Sequence, residues 1–215
     1  MLTMQDCNKL PNRENYTLNH KGKMTGMYSL STERNEYCEG YNSIPGTVCS
    51  HCYSKKQSKM YPNLNSMLYR NGEILKEEIY PMEYWPLINA AFFRLESFGD
   101  VDCVTQEINY FNLCNVNPHV TFAQWTKNIT FIDEAIEITG EKPSNLILVY
   151  SSLYLNKEET EMLELPYVDK VFTVYEKDFA KENEIEINCG KKKCLTCQLC
   201  YHKNNGVTFI RELLK

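Results

Sequence analysis

From residue 90 to residue 176 the chain repeats one pattern of apolar and polar positions. Four apolar runs rich in aromatic and β-branched residues, AAFFRLES (90–97), HVTFAQWT (119–126), NLILVYSS (145–152) and KVFTVYE (170–176), read as strands. Two of the segments between them carry a helical stripe. In VTQEINYFNL it is Val104, Ile108 and Phe111, and in FIDEAIEIT it is Phe131, Ala135 and Ile136. Strand and helix in alternation predict βαβ units with right-handed crossovers and a parallel sheet. The runs are almost continuously apolar, as strands covered on both faces are.

Upstream, KMTGMYSLST (23–32) predicts a first strand, and NLNSMLYRNGEILKEE (63–78) a helix with a ragged stripe of Leu64, Met67, Leu68, Ile74 and Leu75. The loop between them is marked by Gly, Pro and Cys. Five or more parallel strands then define an α/β domain over residues 21–180. It is expected to be a partial (β/α) barrel or an open parallel sheet of the doubly wound kind. Residues 1–20 are polar and without period, and are expected to lie over the surface. Residues 181–215 lose the alternation and become a Cys-rich tail, expected to bind metal, with VTFIRELLK closing the chain as a helix or strand.

Composition changes the picture in two ways. The formal charge of −5 over 215 residues disfavours a grip on nucleic acid or on an anionic membrane. No stretch approaches the ~18 uninterrupted apolar residues of a membrane span, and MLTMQDCNKLPNREN holds no apolar run that would make a secretory signal. The expectation is a cytoplasmic protein, where a set of ten cysteines reads as a source of metal ligands rather than of disulfides.

Seven of those cysteines fall into two sets. Cys38, Cys49 and Cys52 form C-x10-C-x2-C in the loop after the first strand; Cys189, Cys194, Cys197 and Cys200 form C-x4-C-x2-C-x2-C in the tail. The pairs CSHCYSK (49–55) and CQLCYHK (197–203) are alike, which suggests one shared zinc site. The run CLTCQLC argues otherwise, because three cysteines so spaced wrap around a 4Fe-4S cubane more readily than around one small ion. The basic KKK (191–193) between proposed ligands suits a negative cluster. Three cysteines in the upstream loop leave one iron open, an arrangement that belongs with catalysis. Radical S-adenosylmethionine (SAM) enzymes place a three-cysteine loop at this point of a partial barrel, though with C-x3-C-x2-C spacing. His51 and His202 are expected beside the metal or exposed, His119 to be structural, Cys103 and Cys114 to be buried thiols, and Cys7 to be no ligand.

Polar residues gather where each strand ends, in ESFGD (96–100), WTKN (125–128), SSLYLN (151–156) and YEKD (175–178). Parallel sheets bind ligands at that end. Glu96 and Asp100 are candidate acid–base or cation-binding groups, Lys127 a candidate for holding an anion and Trp125 for stacking on a planar group; Ser97, Gly99, Asn128 and Ser151 join them as candidate cofactor-binding residues.

The segments GTVCSHCYSKK, FRLESFGDV, TFAQWTKN, KVFTVY and INCGKKKCLTCQLCY together resemble a family of bacteriophage and prophage proteins from Gram-positive hosts. More distantly they are similar to the broader phage gene product eighty-eight family. The resemblance spans roughly residues 21–203. It implies a phage-encoded protein working in the host cytoplasm, with the cysteine sets, ESFGD and WTKN as its working parts.

Two functions compete. One is a redox enzyme on a radical-SAM-like partial barrel, with one or two 4Fe-4S clusters, possible use of SAM, and a small molecule or an electron-transfer protein as partner. The other is a non-enzymatic zinc or iron–sulfur module in which Cys49, Cys52, Cys197 and Cys200 share one site. Nucleic-acid modification, a third reading, is disfavoured by the acidic charge.

Overall fold

The computed structural model describes residues 16–215, so Cys7 and most of the polar 1–20 segment lie outside the described residues. Seven strands form one sheet: β1 (Thr17–Leu18), β2 (Tyr28–Leu30), β3 (Phe92–Leu95), β4 (Thr121–Thr126), β5 (Leu146–Ser151), β6 (Lys170–Tyr175) and β7 (Phe209–Leu213). Seven α-helices are described: α1 (Glu36–Asn42), α2 (Tyr53–Met60), α3 (Pro62–Glu77), α4 (Val104–Val116), α5 (Thr130–Thr139), α6 (Lys177–Glu182) and the single turn α7 (Cys194–Cys197). No described helix is long and apolar enough to cross a membrane.

The strands lie side by side in chain order, β1 to β7. β1 is antiparallel to β2, and every later pair is parallel. A doubly wound sheet reverses its strand order partway; this one does not. Its order is that of the strands in a (β/α) barrel, with β1 and β7 left as open edges.

Each strand interior faces two cores. Leu30, Phe93, Leu95 and Phe122 pack with Leu75 of α3 and with Ile108 and Phe111 of α4. Leu148 and Tyr150 pack with Ile132 of α5. The alternate residues Ala123, Trp125, Ile147 and Val149 pack instead with Met27 and with Tyr201, Cys194 and Cys200 of the tail. Period-two alternation therefore sends one set of side chains toward the helices and the other toward the cysteine-rich segment.

Most expected elements are present with trimmed ends. The first strand is shorter than predicted, and a short antiparallel strand precedes it. The hairpin between them is closed by Gly26 N–H donating to Asn19 O at 2.7 Å, and Gly26 adopts φ +85°. The ambiguous closing segment is a strand, β7, buried on alternate residues.

Candidate functional site

The first cysteine set is built by caps. Asn35 Oδ1 accepts from Cys38 N–H at 3.0 Å and so starts α1. Its Nδ2 donates to the carbonyls of Asp100 and Val101 at 3.1 and 3.2 Å, tying that helix to the loop after β3. Thr47 Oγ1 accepts from Ser50 N–H at 3.1 Å and starts the turn Val48–His51. At its end Cys52 N–H donates to Cys49 O at 3.1 Å, closing the C-x2-C pair. Gly99 lets the β3 loop press on this region, since an added Cβ would overlap the carbonyl oxygen of Glu33.

The tail set is fixed to the sheet from two sides. Cys189 N–H donates to Arg211 O of β7 at 2.9 Å, and Cys194 N–H donates to Lys23 O at 2.7 Å. Gln198 ends α7 in the left-handed region at φ 55°, and the chain then buries Tyr201 against Trp125 and Phe92. Further on, Lys170, fully buried in β6, donates to Asn205 Oδ1 at 3.1 Å and to Val207 O at 2.5 Å.

Both sets line one cavity of about 930 Å³, and Ser97, Gly99, Trp125, Lys127 and Ser151 share its wall. Asn128 does not; its backbone carbonyl and N–H are bonded to Thr126 Oγ1. All nine described cysteines are free thiols. Among the described residues, no three His, Cys, Asp or Glu side chains gather closely enough to hold one metal ion. The seven cysteines on the cavity wall are of the donor type that zinc and iron–sulfur groups take.

Charge around the sulfurs differs between the sets. Burial pushes the Cys38 thiol up to about 12, with Asp100 adding to the effect. Burial also raises Cys49, where Lys127 opposes the shift and Cys52 adds to it. Burial raises Cys189 and Cys194 as well, opposed in both by Lys23 and in Cys194 also by Arg94. Cys200, more deeply buried, is pushed up to about 12. Each set is thus electrostatically coupled within itself and has its own cations. The expected KKK triplet is solvent-exposed, and the cations close to the tail sulfurs are Lys23 and Arg94 instead. Arg94 is the one charge in an otherwise apolar strand, which is a signal a reading of the sequence can use.

The carboxylates proposed as acid–base groups are deeply engaged. Glu96, at φ 51°, accepts from Thr32 N–H and Oγ1 at 3.2 and 3.0 Å, from Gln106 Nε2 at 2.8 Å and from Tyr110 OH. Burial nonetheless lifts it to about 7. Asp100 accepts from Val101 N–H at 2.9 Å, Thr126 Oγ1 at 2.5 Å and Lys127 N–H at 2.9 Å. Lys127 Nζ donates to Ser151 Oγ at 3.0 Å. The face of Trp125 is occupied by the Arg94 guanidinium at 3.6 Å from the ring centroid. His51 is exposed on the cavity wall, His202 pairs with Gln198 at 2.7 Å, and His119 Nε2 bonds Ile88 O at 2.8 Å. Cys114 is fully buried and Cys103 half-buried.

A sheet with a cysteine-lined chamber on one face is the class this geometry defines. The model of the family described as Gene product 88 matches residues 1–207, and the chain belongs to that phage family. No curated protein and no solved structure matches it.

Proposed function

We propose that this protein is an iron–sulfur redox enzyme with a radical-SAM-like partial barrel. One observation carries the reading: two cysteine sets line the same cavity, each with a cation beside it. Cys38, Cys49 and Cys52 would hold a cluster with an open iron, and Cys189, Cys194, Cys197 and Cys200 a closed one. When bound, such groups supply one-electron transfer, and the open one a coordination position for a substrate or for SAM.

The remaining chemistry belongs to the chain. Asp100 sets the Lys127 backbone through its Oδ2, and Ser151 holds the Lys127 ammonium, so that a cation stands beside the first set to receive an anionic group. With their oxygens taken by donors, Glu96 and Asp100 act as positioning residues for the two loops. The tail roofs the sheet and keeps water from the inner wall around Trp125 and Tyr201, both buried.

Anaerobic reconstitution with iron and sulfide, followed by metal and acid-labile sulfide analysis, tests the reading. Iron and sulfide are expected, with part retained in Cys52→Ala and part in Cys200→Ala. Complete loss of iron in either variant would replace two clusters with one shared site. Zinc without iron after reconstitution would overturn the iron–sulfur assignment.

A further inference from the structure

We propose that Arg94, Lys23 and Glu212 set the reduction potential of the tail cysteine set, with Arg94 as its principal counter-charge. The inference rests on the iron–sulfur reading of that set. Lys23 Nζ donates to Cys189 Sγ at 3.5 Å and is ion-paired with Glu212, so its charge is largely cancelled. Arg94 has no such partner. No carboxylate pairs with it among the described residues, its Nε is buried without a hydrogen bond, and its Nη1 reaches only Met24 Sδ at 3.9 Å. Its guanidinium lies over the ring of Trp125, which in turn packs on Tyr201 beside Cys200. A half-buried cation held this way is costly unless something negative faces it. Thiolates around a cluster are that negative charge. The Lys191–Lys193 run, by contrast, is exposed and screened by solvent.

The signs follow. Reduction adds negative charge, so a nearby fixed cation favours the reduced state and a nearby carboxylate disfavours it. The arrangement does not require any of the three to touch a substrate; they are positioning residues that act through the cluster.

The test is a potentiometric titration of the reconstituted protein in a Cys52→Ala background, which leaves the tail set to report alone. Arg94→Met is expected to lower the reduced-to-oxidised ratio at fixed solution potential by about tenfold, which is about 59 mV for a one-electron couple. Arg94→Lys should restore most of it. Lys23→Met and Glu212→Gln should shift the ratio in opposite directions, down and up. A purely structural role would lower cluster content in all four variants without moving the potential. Unchanged potentials in Arg94→Met, Lys23→Met and Glu212→Gln would overturn the inference, and the opposed pair decides it even where Arg94→Met holds no cluster. Failure of the Cys52→Ala protein itself to bind iron would instead strike the underlying reading.

Discussion

A buried carboxylate must find donors or keep its proton, and Glu96, Asp100 and Glu107 divide along that line. Glu96 has four donors and Asp100 three, whereas Glu107 has Gln124 Nε2 alone, at 2.7 Å. Glu107 Oε1 and Gln124 Oε1 are both buried without partners, and burial pushes Glu107 from 4.5 to about 8. A proton on Glu107 converts its bare oxygen into a donor, which suits the bare amide oxygen of Gln124. The folded-state value lies above the unfolded one, so this stability is fully present below the unfolded value. It is lost as pH rises through about 8. Between those limits the loss runs at about 1.4 kcal/mol per pH unit. Glu107→Gln should remove that component, so that the variant gains on the native protein as urea midpoints are followed from about pH 5 to pH 9; parallel pH profiles would refute it. Glu96 and Asp100 read as catalysts from their place after a strand. Residue type and position do not disclose that Gln106, Tyr110 and Thr126 reach them from other elements, so these hydrogen bonds could not be read from the sequence.

At the scale of elements, the tail is held to the sheet by one large side chain as much as by its backbone bonds. Tyr201 is buried against Phe92 and Trp125, their ring centroids 5.3 and 6.3 Å away. Removing a buried aromatic costs about 3–5 kcal/mol. Here the loss should appear as local opening, since the strands and helices keep their own cores. Tyr201→Ala is expected to speed proteolysis within residues 186–206 while the circular dichroism of the sheet is retained; an unchanged cleavage rate would contradict it. The central strands and both crossover helices were legible because their apolar periods are long and strong. β1, two residues long, carries no period at all, and β7 was legible only as a closing helix or strand. The docking of Tyr201 left no trace in periodicity, because a single aromatic in a polar segment has none.

At the scale of the molecule, unreversed strand order commits the crossover helices to one face and leaves the other for the tail. The α/β class and the parallel sheet follow from hydrophobic pattern, but strand order does not, so only the likeness of the two C-x2-C pairs, 148 residues apart, hinted that both sets line one cavity. A group bound across such a chamber stabilises the folded state by mass action. Iron–sulfur loading is therefore expected to raise the thermal midpoint, by about 2–4 °C for each kcal/mol in a chain of this size. Anaerobic chelation should reverse the gain, and by less in Cys200→Ala, as differential scanning calorimetry would show. Equal midpoints with and without iron would argue that the metal plays no part in holding the tail.

The clasp of Lys23 on Cys189 and Glu212 joins residues separated by 166 and 189 positions. During synthesis Lys23 therefore emerges well before the two groups it clasps. Contacts of such long range form late in any case, and here the ribosome enforces the delay. The loop bearing Cys38, Cys49 and Cys52 is consequently made well before the segment bearing Cys189 that shares its cavity. On the proposed reading, a cluster could be loaded there in that interval, before Cys189 and Glu212 are made and the clasp on Lys23 can form.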